Sequence, residues 1–372
     1  MKIGIDISML VYQGSGVATY TYNFVKALLE NHPEHSYHLF YSSLRRPKGF
    51  NLLPEFRKMG ANVHEFRFPP SLLKLVWNKH SLFPVEWFIG KVDVFHSSDY
   101  LRPPLHKNTK PMTTLHDLTW KLFPEYHTTD VIEAHTRKIT KTINGKDIIL
   151  ADSENTKNDL LKLYPEAKDN VIHVLHLGVE KRYRHIADND EIAAVLKKYN
   201  IDFPKRYILY VGAIEPRKNV DRSVNIFAEL VKQKGYEDME YLIIGRAGWK
   251  NEHVFQTIQD SGVKDKVKFV GYVPDEDLPY FYNGALTLMY LSSYEGFGLP
   301  PVEAAKCGTP TLMYNNSSLK EIMPETYAFA VENNELVTLQ KLISEKEKGT
   351  MFTSEVSDWK TYADRFIEIA QS

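Results

Sequence analysis

The stretch richest in usable chemistry runs from Ser293 to Pro310: Tyr294 and Glu295, then Gly296, Phe297, Gly298 and Leu299, two prolines, and a second acid, Glu303. Seven residues separate the two glutamates. The glycines let backbone approach a ligand closely, and Pro300 and Pro301 suit the first turn of a helix. A helix start behind a glycine loop favours an anion, because its unpaired N–H groups and its macrodipole both face the incoming charge. Glu303 is then expected in the first helical turn. One carboxylate in the loop and one on the helix would accept from hydroxyls on either side of a phosphate, which is the chemistry of sugar recognition. Taken singly, a solvated Glu295 and a Glu303 that merely complements its own helix dipole would explain each residue as well.

Taken together, glutamate, seven residues and glutamate around Gly296-Phe297-Gly298-Leu299-Pro300 resemble the hallmark of the retaining nucleotide-sugar glycosyltransferases of family 4, also called glycosyl transferase group 1. These enzymes adopt the GT-B fold, and the similarity extends across nearly the whole chain, leaning toward mannosyltransferase-like members. The resemblance implies that Glu295 contacts the donor sugar hydroxyls. It places the backbone of Gly296, Phe297, Gly298 and Leu299 on the sugar and diphosphate, and Glu303 on the ribose hydroxyls.

Further segments match the same family. Tyr210 to Asn219 includes Arg217 and Lys218, which the resemblance makes cations for the diphosphate. Such preorganised charge would stabilise a departing diphosphate more than the bound donor. Many members carry an arginine directly after the glycine, where this chain has Ala213. Gly14-Ser15-Gly16 opens a helix after the first strand but has Thr19 where a dinucleotide fingerprint needs a third glycine. In the family this loop offers the Gly16 N–H to the diphosphate. His116, at the end of Thr114-Leu115-His116-Asp117, is expected to aim into the cleft and meet the donor sugar near its reacting carbon. Asp99 is the candidate acceptor contact, Val273 the main-chain contact to the base, and Lys157, behind the capping Ser153, a further cleft residue.

These residues need rigid elements behind them. Short β-branched or apolar runs alternate with helical segments along the chain, the pattern of parallel βαβ layers. Strands are expected at Lys2 to Ile7, Tyr37 to Tyr41, Val92 to His96, Pro111 to His116, Asp147 to Ala151 and Asn170 to Leu175. The alternation restarts at Tyr207 and continues to Met313. We therefore expect an α/β, GT-B architecture of two facing Rossmann-like doubly wound domains with an interdomain cleft. The boundaries are 1–180 for an acceptor-binding domain, 181–205 for a linker with a short helix, 206–350 for a donor-binding domain and 351–372 for a C-terminal amphipathic helix packing back toward the first domain. Trp359, Tyr362, Phe366 and Ile369 line one face of that helix.

Composition narrows the partners. The 372 residues carry 46 Lys plus Arg against 47 Asp plus Glu, a net charge of −1, so no global field recruits nucleic acid. The single cysteine, Cys307, forms neither an internal disulfide nor a zinc cluster and fits a reducing compartment. The first residues read as a strand rather than a signal peptide, so the expected location is cytoplasmic. Between Leu72 and Gly90 the chain is greasy but interrupted by Lys74, Asn78, Lys79, His80 and Glu86, too soon for a membrane span. Trp77, Phe83, Trp87 and Phe88 beside lysines suit either a half-buried core element or peripheral contact with lipid headgroups at the inner membrane face.

The expected reaction moves a hexose from a nucleoside diphosphate sugar to a hydroxyl of a glycan or lipid-linked glycan. Weak overall similarity puts GDP-mannose ahead of UDP-glucose. Family membership implies retention of configuration. Arg217 and Lys218 together can do the charge work of a cation, so no metal or other cofactor is expected. Alternatives are a non-catalytic sugar-nucleotide-binding protein, a sugar-nucleotide epimerase, a pyridoxal-dependent phosphorylase and a NAD-dependent oxidoreductase.

Overall fold

The short apolar runs form parallel strands, most of them buried on both faces, as expected where helices cover a sheet on each side. The computed structural model describes residues 1–44, 50–246, 252–323, 329–330 and 333–372. It divides into two units, Met1–Gly178 with Ser357–Ser372, and Val179–Val356.

The first unit holds seven strands: β1 (Lys2–Asp6), β2 (Ser36–Ser42), β3 (Asn62–Phe66), β4 (Val94–Ser97), β5 (Lys110–Leu115), β6 (Ile148–Ala151) and β7 (Ile172–Val174). Their order, β3-β2-β1-β4-β5-β6-β7, reverses direction between β1 and β4. Loops leaving the carboxyl ends of those two strands diverge there, the place where open α/β sheets bind ligands. Helices α1 (Gly16–Asn31), α2 (Thr129–Asn144) and α3 (Glu154–Leu163) follow β1, β5 and β6. Ser15 caps α1 by accepting from Ala18 N at 3.3 Å, and Ser153 caps α3 by accepting from Thr156 N at 3.0 Å.

The second unit begins earlier than the sequence suggests. The 181–205 stretch lies within it, and α4 (Asn189–Lys197) buries Ile192, Val195 and Leu196. Leu196 packs so close to Gly284 that a Cβ there would lie 3.3 Å from Leu196 Cδ1. Three well-placed apolar residues thus suffice to dock a helix that looks polar overall. The strands β8 (Tyr207–Val211), β9 (Glu240–Ile244), β10 (Val267–Gly271), β11 (Thr287–Tyr290), β12 (Thr311–Tyr314) and β13 (Phe329–Ala330) run in the order β10-β9-β8-β11-β12-β13. Here the reversal falls between β8 and β11. Helices α5 (Val220–Leu230) and α6 (Leu299–Lys306) begin beyond those two strands.

The last helix, α7 (Trp359–Gln371), belongs to the first unit. Asp358 caps it by accepting from Thr361 N at 3.0 Å. Its apolar face meets α1: the Phe366 and Phe24 rings lie 4.8 Å apart, and the Tyr362 and Tyr20 hydroxyls 3.0 Å apart. Gly178 meets its start, where a Cβ would come within 2.4 Å of Trp359 N. Among the described residues, no helix is long and apolar enough to cross a membrane.

Candidate active site

In the second unit the neighbouring strands β8 and β11 bring two loops together. Beyond β8, Gly212 (φ 150°) and a tight turn at Pro216–Lys218 lead into α5 through Asn219, whose left-handed backbone (φ 50°) suits asparagine. The Asn219 side chain donates to Leu291 O and to Ser293 Oγ, both at 2.8 Å, and so ties this turn to the loop after β11. The loop after β9 approaches as well: a Cβ at Gly245 would sit 2.0 Å from Gly212 O.

This juxtaposition gathers Arg217, Lys218 and Glu295. Arg217 Nη1 donates to Glu295 Oε2 and to Tyr294 O, both at 3.0 Å, while its Nε lies 3.3 Å from Glu215. Lys218 Nζ donates to Glu295 Oε1 and, at 2.8 Å, to the Tyr290 hydroxyl, with the Tyr290 ring centroid 4.8 Å away. Lys218 and Glu295 are both buried. Burial pushes the Glu295 carboxyl up, but Arg217 and Lys218 outweigh it and hold the group at about 2. Burial and then Arg217 lower the Lys218 ammonium to about 8, against the pull of Glu295. The four charges of Glu215, Arg217, Lys218 and Glu295 cancel within the cluster.

The glycine loop is fastened from below. Ser318 Oγ lies 3.0 Å from Glu295 O and 2.7 Å from Phe297 O, and Ser317 Oγ accepts from Glu295 N at 3.0 Å. Gly298, at φ 109°, is the left-handed residue before α6; a Cβ there would meet Leu319 Cδ2 at 2.7 Å. Because α6 starts at Leu299, Glu303 falls in its second turn rather than its first, and no acid occupies the first turn. Its dipole therefore gains little from Glu303. Glu303 is instead buried and accepts from the Tyr282 hydroxyl at 2.8 Å. Burial, with Asp275 and Glu180 nearby, pushes its carboxyl up to about 8. Val273 is buried just beyond β10, after Gly271 (φ 82°).

In the first unit, register explains a second cluster. Leu115 of β5 pairs with Ala151 of β6, so the residues that follow, His116 and Asp152, leave the sheet side by side. His116 Nδ1 lies 2.7 Å from Asp152 Oδ2, and Nε2 lies 3.0 Å from Ser98 O beyond β4. Ser98 O only accepts, so Nε2 donates to it, while Nδ1 faces the Asp152 carboxyl. Burial opposes a charge on the ring, but Asp152 beside it raises the pKa above its ordinary value, with Asp99 adding to the effect. Both nitrogens meet groups of the first unit, and Tyr20 packs against the ring at 4.7 Å. Asp99 is half-buried in the loop after β4. Lys157 lies 3.2 Å from Glu154 on its own helix. Gly16 begins α1, and a Cβ there would meet nothing within 4 Å.

Sequence reasoning missed Tyr290, Tyr282, Asp152, Asn219 and Ser318. Each acts across a strand or loop from its partner, and no local spacing announces it. Glu215 stood inside a segment already singled out, two residues before Arg217.

The Glycosyltransferase Family 4 model matches residues 14–182, and the model for glycosyl transferases group 1 matches residues 191–366. The chain is 30% identical over 241 residues to O-antigen chain mannosyltransferase B of Escherichia coli, covering 65% of this chain and 62% of that protein. It is 28% identical over 178 residues to the serotype-specific mannosyltransferase WbdA of the same species, covering 48% of this chain and 22% of that protein. The chain thus spans about three fifths of the first relative and about a fifth of the second. Among solved structures, HepE of Anabaena in complex with UDP and glucose aligns with TM-score 0.71 and 13% identity over 100% of this chain and 99% of that one. Sucrose-phosphate synthase of Thermosynechococcus elongatus aligns with TM-score 0.71 and 17% identity, covering 100% and 98%. Two doubly wound parallel units, one matched by each model, make this chain a member of the family 4, group 1 glycosyltransferases, with the GT-B fold.

Proposed function

We propose that the protein transfers a hexose from a nucleoside diphosphate sugar to an acceptor hydroxyl on a glycan or lipid-linked glycan, with retention of configuration. The observation that carries this reading is the Arg217–Glu295–Lys218 cluster, held at the reversal between β8 and β11 and directly before the glycine-lined start of α6. Two cations beside a glycine-lined helix start suit a diphosphate, and the neighbouring carboxylate suits sugar hydroxyls.

In this reading Arg217 and Lys218 take up charge as the glycosidic bond breaks, the backbone of Gly296 to Leu299 seats the phosphates, and Glu295 orients the sugar. Glu303 serves the ribose, Val273 the base, and Gly16 offers an N–H to the diphosphate. His116 shapes the local charge beside the donor sugar rather than acting as a base, since both its nitrogens are already engaged. Asp99 contacts the acceptor. Departure and attack occur on one face through an oxocarbenium-like state, and the leaving phosphate accepts the acceptor's proton. Arg217 and Lys218 do the charge work that a divalent cation does elsewhere.

The names of the relatives favour mannose, and hence GDP-mannose, while the UDP and glucose of the structural neighbour keep UDP-glucose as the second donor to try. The reading is tested by thermal unfolding with each nucleotide sugar. A ligand at 100 times its Kd adds about 2.7 kcal/mol of stability, a readily measured shift. GDP-mannose is expected to raise the midpoint, and turnover is expected to persist in chelator. Absence of any shift across guanosine and uridine diphosphate sugars refutes the assignment.

A further inference from the structure

Residues 70–91 form a two-sided element of the first unit: a helical turn at Pro70–Leu73, a π-helical turn at Lys74–Lys79 and a helical turn at Glu86–Ile89. Its inner side is core. Leu73, Trp77, Val85 and Ile89 pack with Phe40 and Phe95. Its outer side is apolar too, with Trp87 67% exposed, Leu82 50% and Phe83 47%, joined by Leu72 and Leu75. The Phe83 and Trp87 rings lie 5.8 Å apart, so these two exposed aromatics adjoin rather than stand as scattered singles.

The backbone holds this display against its own preference. Ser81 (φ 53°) and Phe83 (φ 59°) are left-handed, a conformation in which a bulky residue such as Phe83 is an outlier. The turn is locked from the core by Trp77 Nε1 donating to Phe83 O at 3.1 Å and Leu82 N donating to Val76 O at 3.0 Å. Ser81 thus caps the preceding helical turn in the left-handed conformation, and the anchored turn presents Leu82 and Phe83 to solvent.

Charge identifies the occupant. The only acid between 70 and 91, Glu86, faces inward, accepting from His106 N at 2.9 Å and Thr109 Oγ1 at 2.6 Å. Lys79, His80 and Lys91 are exposed, while Lys74 pairs with Asp130 on α2. Beside Leu75, Lys79 and Lys74 share a cavity with Arg137 and the acids Asp130 and Glu133. The segment bearing Leu82, Phe83 and Trp87 instead exposes cations and no acid of its own, which matches an anionic bilayer surface, where aromatic rings settle at headgroup depth. A second copy of this chain fits less well, because a two-fold contact would set the lysines against one another.

We propose that the outer face of residues 70–91 rests on an anionic lipid bilayer, with Leu82, Phe83 and Trp87 entering the headgroup region and Lys79 and Lys91 above the lipid phosphates. This membrane contact stands independently of the glycosyl-transfer reading. The full chain is tested by co-sedimentation with phosphatidylcholine vesicles with and without phosphatidylglycerol, beside the double variant Leu82→Ser/Trp87→Ser and the variant Lys79→Ala. Both sets of side chains are exposed, and an unchanged thermal midpoint verifies the fold. The wild type is expected to bind the anionic vesicles and to be released by salt. The double variant should bind at least about tenfold more weakly, and Lys79→Ala by roughly fivefold. Failure to bind anionic vesicles, equal binding by the double variant, or a concentration-dependent dimer that the double variant abolishes would each overturn the proposal.

Discussion

Glu295 Oε2 accepts from Arg217 Nη1 at 3.0 Å while its other oxygen holds Lys218, so one carboxylate engages both cations proposed to meet the diphosphate. An arriving diphosphate must share or displace it. Glu295→Gln is therefore expected to raise the affinity for free nucleoside diphosphate about three- to tenfold, because the cations lose an internal competitor. The same change should lower turnover by about a hundredfold, because the sugar loses its orienting acid. Calorimetry of GDP and UDP binding beside a donor-consumption assay separates the two effects. Weaker diphosphate binding by the variant would contradict the competition.

The two glutamates respond to pH in opposite senses. For Glu295, held at about 2 against an ordinary 4.5, the paired state stabilises the fold above pH 4.5, and that contribution is lost as pH falls toward 2. For Glu303, raised to about 8, the folded state holds its proton more tightly, so stability is lost as pH climbs from 4.5 through 8. Glu303→Gln removes that loss. Urea unfolding is expected to show the variant gaining on the wild type by a few kcal/mol between pH 5 and pH 8.5. A constant difference across that range would mean that Glu303 is ionised in the fold.

Much of the second unit was legible because its signals are local. Glycine, proline and acid at fixed offsets mark the loop before α6, and fully apolar strands such as β8 mark the sheet. What escaped the sequence depends on adjacency. The edge strand β3 alternates Val63, His64 and Glu65 and is only half-buried, so it carries no apolar run to announce it. The pairing of His116 escaped for a similar reason. Its partner Asp152 lies 36 residues away and is brought alongside only by the register of β5 with β6.

That pairing has a testable consequence. Asp152→Asn removes the negative charge beside His116, so the His116 pKa is expected to fall, as read by nitrogen-15 NMR of the ring. A raised histidine pKa stabilises the fold below pH 6.5 and loses that contribution as pH rises through the folded-state value. The variant's loss of stability should thus be larger at pH 6 than at pH 9. Turnover should fall at least about tenfold with its pH profile displaced toward acid. An unmoved His116 resonance and an unmoved profile would show that Asp152 does not set the charge.

Two glycines distinguish fold from function. Gly245→Ala places a Cβ 2.0 Å from Gly212 O in a left-handed backbone (φ 136°), so it should lower the thermal midpoint markedly, by several kcal/mol in stability. Gly16→Ala meets nothing within 4 Å, so its midpoint should hold or rise. A drop in donor affinity in that second variant, with the fold intact, would mark Gly16 as a place where ligand approaches backbone. Unchanged affinity and turnover would reduce it to a helix start.

The most direct measurement is the steady-state rate of donor consumption by Lys218→Met, whose side chain keeps the packing against Tyr290 and removes the charge. If Lys218 stabilises the departing diphosphate, kcat falls about 10²–10³-fold with the thermal midpoint preserved. A kcat within about threefold of the wild type would show that the diphosphate leaves from somewhere else.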